Sequence, residues 1–195
     1  MFEIPTSITI GDTEYGISNK GDFRMVLDCF SALQDIELTR EERIVASVVI
    51  FYDTFSLDNV FDILDTQDKF NEAVNKMYDF FSCGQKNLGN KSPHKLIDWE
   101  QDEQLIASAI NNVANTEIRF ADYIHWWTFM GYYMAIGEST LSTVVSIRSK
   151  IMEGKKLEKY EQEFRRKNPE YFVWNRQTVE QQELDAWAHE IWNSQ

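Results

Sequence analysis

The chain has 195 residues, 43% of them hydrophobic and 14% aromatic, enough apolar side chain to build a sizeable core and to exclude wholesale disorder. Its formal net charge of −13 has the wrong sign for a protein that must neutralise phosphates, so nucleic-acid binding is not expected. Two cysteines, Cys29 and Cys83, are too few and too far apart for a disulfide framework or a CxxC site, and their aromatic neighbours predict buried free thiols.

From Met1 the chain starts on an acidic stretch that holds Pro5 and no basic run, which does not read as a secretory signal. Ser7-Ile8-Thr9-Ile10 alternates, Gly11-Asp12 turns, and Glu14-Tyr15-Gly16-Ile17 returns, a hairpin that must pack on something else because two strands alone are marginal. Helical spacing begins near Asp22, with Phe23, Val26, Leu27, Phe30 and Leu33 along one face. Thr39-Arg40-Glu41-Glu42 reads as a capping box opening a helix that carries Ile44, Val48 and Phe51. A further helix is predicted over 68–81, with Phe70, Val74, Met77, Tyr78 and Phe81 inward and Gly84 capping its end.

Residues 85–98 are polar, contain Gly89 and Pro93, and read as a loop. A helix over 102–113 follows, with Leu105, Ile106, Ala109 and Ile110 on one side. The most apolar stretch, 118–136, is expected to be a central helix, stopped by Gly137. Ser139 or Thr140 starts the next helix, Gly154 breaks it, and a polar helix over 157–167 ends at Asn168-Pro169. Thr178-Val179-Glu180-Gln181 is a second capping box, opening a tail helix to about Trp192. The expected architecture is mainly α: one multi-helix domain over 1–170 with an N-terminal β-hairpin, and a C-terminal helical appendage over 171–195. No window holds 18 apolar residues, so no membrane span is expected and the compartment is cytoplasmic.

Several groupings could carry chemistry. Tyr123, Trp126 and Trp127 flank Ile124 and His125 in an aromatic run that reads either as core or as a binding face. His125 has no Ser or Cys nucleophile near it in sequence, and His94 and His189 share no ligand spacing with it, so neither a catalytic residue nor a metal site is expected. Asp98, Glu100, Asp102 and Glu103 crowd a helix start, where the macrodipole favours anions. Phosphate-binding glycine loops and a GxSxG elbow are absent, so the chain is expected to be a binding protein without cofactor and not an enzyme. Residues 140–170 hold eight Lys/Arg against five Asp/Glu, a net +3, leaving −16 for the rest. Arg148, Lys155, Lys156, Arg165 and Arg166 belong to this strip, which reads as a solvated helical pair or as a self-association strip meeting acidic neighbours. In the tail, Leu184, Trp187, Ala188 and Ile191 share one helical face, making Leu184, Trp187 and Ile191 candidates for partner contact.

The runs Ile124-His125-Trp126-Trp127-Thr128-Phe129, Gly137-Glu138, Val145-Ser146-Ile147-Arg148, Lys155-Lys156-Leu157 and Phe164-Arg165-Arg166-Lys167-Asn168 resemble the phage gene-product-15 family. Pro5-Thr6-Ser7, Asp22-Phe23-Arg24, Phe51-Tyr52 and Phe80-Phe81-Ser82-Cys83-Gly84 fit in the same order, so the resemblance spans about 5–170. It implies a tail-assembly chaperone of long-tailed phages, which coats the tape-measure protein and keeps it soluble until tube protein polymerises. Implied partners are the tape-measure protein, other copies of the chain and a second tail-assembly chaperone. The implied location is the host cytoplasm, with absence from the mature virion. The alternatives are a structural tail or head-completion protein retained in the virion, or a host-directed interaction protein.

Overall fold

In a computed structural model, which describes residues 3–85 and 96–174, the chain is mainly α-helical with one small antiparallel sheet. The described residues group into two compact units, one of 3–85 with 123–129 and one of 96–122 with 130–174. The stretch 1–170, read above as one domain, supplies parts of both.

The first unit opens with β1 (Ser7–Ile10) and β2 (Thr13–Gly16), paired antiparallel with Ile8 opposite Tyr15. The hairpin gains the support it needs from helices: the Gly11 N–H donates to Glu72, and Tyr15 packs its ring on Tyr52 and Phe55. Helix α1 (Phe23–Leu33) starts where the Asp22 carboxylate accepts the Arg24 N–H. Helix α2 (Arg40–Phe51) carries the predicted capping box, with Thr39 Oγ1 accepting the Glu42 N–H and Glu42 accepting the Thr39 N–H. A four-residue turn, α3 (Val60–Ile63), leads to α4 (Gln67–Phe81). Packing is dominated by rings: Phe51 meets Tyr52, Phe80 and Phe81 edge-on, Phe23 stacks on Phe129, and Tyr52 donates its hydroxyl to the Ala73 carbonyl. The buried face of α4 is Ala73, Met77, Phe80 and Phe81, whereas Phe70 and Val74 are half-buried and Tyr78 is exposed, a rotation from the inward set expected. Gly84 does close α4, its N–H reaching the Asp79 carbonyl at φ +68°. Cys29 is buried, as expected, and burial pushes its thiol up to about 12; Cys83 is half-buried, and burial raises its thiol as well.

The second unit contains α5 (Glu103–Ala114), the 3₁₀ turn Ile118–Phe120, α7 (Thr140–Met152), α8 (Lys159–Lys167) and the 3₁₀ turn Pro169–Phe172. Helix α6 (Trp126–Met134) begins in the first unit, and its residues from 130 belong to the second. Here α5 and α7 pack together, and Ile106, Ile110, Leu141, Val144 and Ile147 are buried. Ser139 caps α7, as the sequence predicts, with its Oγ accepting the Ser142 N–H.

One predicted element is corrected. Residues 118–136 do not form a single helix: a 3₁₀ turn at Ile118–Phe120 is followed by non-helical backbone, and α6 spans Trp126–Met134 only. The cause is competition for backbone groups. Glu117 accepts the Arg119 N–H, Ile124 donates its N–H to Asp22, and the Ile124 carbonyl accepts the Phe23 N–H. At the start of the expected appendage, Tyr171 and Trp174 hold contacts with α7 in the second unit. The predicted tail helix with its capping box lies outside the described residues.

Candidate partner-binding surfaces

The aromatic run is explained by the end of a helix. The last carbonyls of an α-helix have no partner within it, and in α4 two of them are met by adjacent indoles: Trp126 Nε1–H donates to Phe81 at 2.9 Å and Trp127 Nε1–H to Phe80 at 3.0 Å. Because neighbouring side chains on a helix point about 100° apart, the first rings of α6 serve successive carbonyls from different directions. His125 is buried, with Nε2 3.0 Å from the Pro5 carbonyl and Nδ1 3.1 Å from the Trp127 N–H. These partners fix the neutral tautomer with the proton on Nε2. Burial lowers the imidazole's pKa, opposed by the Pro5 carbonyl and the Asp22 carboxylate. Gly21 is required beside it: φ is +79°, and a Cβ there would lie 2.9 Å from His125 Nε2.

Of the candidate contacts in this run, Trp126 is 1% exposed and lies in the core of the first unit. Trp127 is half-buried, and Tyr123 remains exposed while its hydroxyl donates to the Lys20 carbonyl.

A second surface in the first unit was not singled out by sequence. Between α2, α3 and α4 lies a groove of about 590 Å³, lined by Ile44, Val45, Leu64 and Phe70, walled by Phe61 and rimmed by Glu41 and Asp65. Phe61 stacks on Phe70 yet stays 60% exposed, and nearby Leu57 is 71% exposed. From 53 to 68 the chain has Asp53, Asp58, Asp62, Asp65 and Asp68, and neither Lys nor Arg. This alternation of acidic and apolar residues is the signal that a reading of helical faces passed over.

In the second unit the basic strip divides. Arg148 is 4% exposed and is not a surface charge. Its guanidinium grips Asp102 with two N–H groups at 2.6 and 2.9 Å, donates to the carbonyls of Leu96 and Tyr171, and lies 4.2 Å from the centre of the Trp174 ring. Lys155, Lys156, Lys159, Arg165 and Arg166 are exposed, as are Met152 and Tyr160. Lys155 pairs with Glu153, and Lys150 with the buried Glu161 at 2.7 Å, which holds that carboxyl below its ordinary range.

The acidic cluster is structural. Asp98 accepts the N–H groups of Glu100 and Gln101, while Asp102 accepts the Asp98 N–H in addition to holding Arg148. Among the described residues no three His, Cys, Asp or Glu lie together so as to hold a metal, and no helix is long and apolar enough to cross a membrane. His94, His189, Leu184, Trp187 and Ile191 lie outside the described residues.

The model of one protein family, described as Bacteriophage Gp15 protein, matches residues 2–172. Nothing matches among curated proteins or among solved structures. The match covers most of the 195 residues, and the chain therefore belongs to the Bacteriophage Gp15 protein family.

Proposed function

Starting from that membership, we propose that this bacteriophage protein is a tail-assembly chaperone, a binding protein without catalytic function. It binds the tape-measure protein in the host cytoplasm and is left out of the mature virion. The observation that carries the reading is the family match over 2–172. The surface is consistent with it: an acidic chain that exposes Leu57, Phe61, Tyr123 and Tyr160 offers apolar anchors on a soluble body. A tape-measure chain has long apolar helical faces with little core of their own, and covering them at roughly 25 cal/mol per Å² holds a complex together even when single contacts are modest.

The test is co-expression with the neighbouring tape-measure gene. The tape-measure protein becomes soluble and co-purifies with this chain, and mass spectrometry of purified particles finds the chain depleted. A tape-measure protein that is equally soluble alone and never co-purifies removes the reading. Recovery of the chain in stoichiometric amounts from purified particles makes it a structural tail or head-completion protein instead.

A further inference from the structure

We propose that the acidic groove of the first unit is a docking site for a second copy of this chain, which inserts the basic corner joining α7 to α8. This inference does not depend on the chaperone reading; it rests on two surfaces that the chain itself supplies.

The acceptor is the groove between α2, α3 and α4. Phe61 and Phe70 are part of its apolar lining, Glu41 and Asp65 are its acidic lining residues, with Asp65 paired to Lys69 at 2.8 Å, and Asp58 and Asp62 are exposed on the adjoining stretch of chain. A volume of about 590 Å³ is in the range that takes several side chains. An apolar trough with an acidic rim selects a partner that presents apolar side chains among cations, since an acidic or purely apolar helix would leave the carboxylates facing like charge or losing water unpaired.

The donor has that composition. At the end of α7 and the start of α8, Met152 and Tyr160 are exposed together with Lys155, Lys156 and Lys159. Between Met152 and Tyr160 three Lys stand against Glu153 and Glu158, and Lys155 pairs with Glu153, so Lys156 and Lys159 are the exposed cations that this corner presents on a chain of net −13. On a chain with this acidic excess, a contact that brings Lys156 and Lys159 to carboxylates is favoured over one that sets carboxylates against each other, and the complementary pair selects the register. Because groove and corner are different surfaces, the contact is heterologous. Each bound pair keeps one groove and one corner unoccupied, and assembly continues into a ring or an open chain of copies.

The experiment uses the purified full chain and two charge-reversed versions. One carries Asp58→Lys with Asp62→Lys beside the groove; the other carries Lys156→Glu with Lys159→Glu on the corner. All four positions are exposed, and circular dichroism checks that the helices persist. Sedimentation analysis of the natural chain at low salt shows species larger than a monomer, and high salt shifts them toward monomer. Each reversed chain alone associates on the order of tenfold or more weakly. An equimolar mixture of the two regains the large species, because the basic groove of one now meets the acidic corner of the other. A natural chain that is monomeric at every concentration and salt overturns the proposal, and the groove then serves an unrelated partner. A mixture that stays monomeric also overturns it and assigns the charges to contacts within one chain. Phe61→Asp gives an independent check: loss of the large species with unchanged helicity supports the groove as acceptor, and unchanged assembly excludes it.

Discussion

In the first unit, buried acceptors are met by neutral ring N–H groups: the indoles of Trp126 and Trp127 on Phe81 and Phe80, and the imidazole of His125 on Pro5. In the second unit comparable work falls to cations: Lys150 answers the buried Glu161, and Arg148 answers a buried carboxylate and two carbonyls at once. The difference sets how each unit fails. A neutral hydrogen bond lost from an aromatic core leaves one carbonyl without its donor, while the rings still exclude water. A lost guanidinium leaves an ionised carboxylate at 2% exposure with no counter-charge, and every segment it tied together is released.

The largest effect is therefore expected from Arg148→Ala, a loss of about 3–5 kcal/mol in urea unfolding. Hydrogen exchange read by peptide should speed up in α5 and α7 and stay unchanged in α1 and α2. A uniform increase throughout would break the comparison. Adding Asp102→Leu to Arg148→Met should recover much of the loss, since an apolar pair of similar volume removes the stranded charge. Next in size is Trp126→Phe, expected to cost about 1–3 kcal/mol by leaving the Phe81 carbonyl unpaired while keeping most of the ring packing. Its exchange signature should sit at the end of α4. Below that comes Thr39→Ala, with about 1 kcal/mol from the lost cap of α2 and faster exchange confined to its first turn.

These sites also separate what sequence makes legible from what it does not. The Thr39–Glu42 box, the Ser139 cap and the Gly84 stop are local, each satisfied within a few residues, and their spacing predicts them. The hairpin is local for the same reason. The 118–136 stretch misleads because its helical hydrophobicity is overruled by partners a hundred residues away, Asp22 and Phe23. Arg148 reads as one more cation in a basic strip, and its pairing with Asp102 spans 46 positions. The adjacent tryptophans are prominent in the sequence, but that their indoles cap α4 requires knowing which helix end faces them. The groove was missed for a different reason: Leu57 and Phe61 break the rule that large apolar residues go inside, and a reading built on buried faces assigns such residues no place.

The smallest effect is a pH dependence that belongs to the first unit alone. Native His125 is neutral, with Nδ1 accepting the Trp127 N–H and Nε2–H donating to Pro5, and protonation would turn the acceptor into a second donor facing that N–H. Burial lowers its pKa from the ordinary 6.5. In the window between the lowered native value and 6.5 the unfolded chain binds a proton that the native chain does not, so stability falls as pH drops through that window and levels off below it. Asp22 opposes the effect by stabilising the imidazolium, which keeps it modest. Carboxylates whose pKa is lowered by a partner, such as Glu42 by Thr39 and Glu161 by Lys150, also destabilise the native state on acidification. Their range lies below that of histidine, and they are common to any His125 variant. Urea midpoints measured above and below 6.5 for the natural chain and for His125→Gln should therefore show a steeper acid loss in the natural chain, with faster exchange near α4 and the start of α6. Equal slopes would mean that His125 takes up its proton without disturbing the tryptophan cap, and the first unit would then hold together at acid pH through its rings alone.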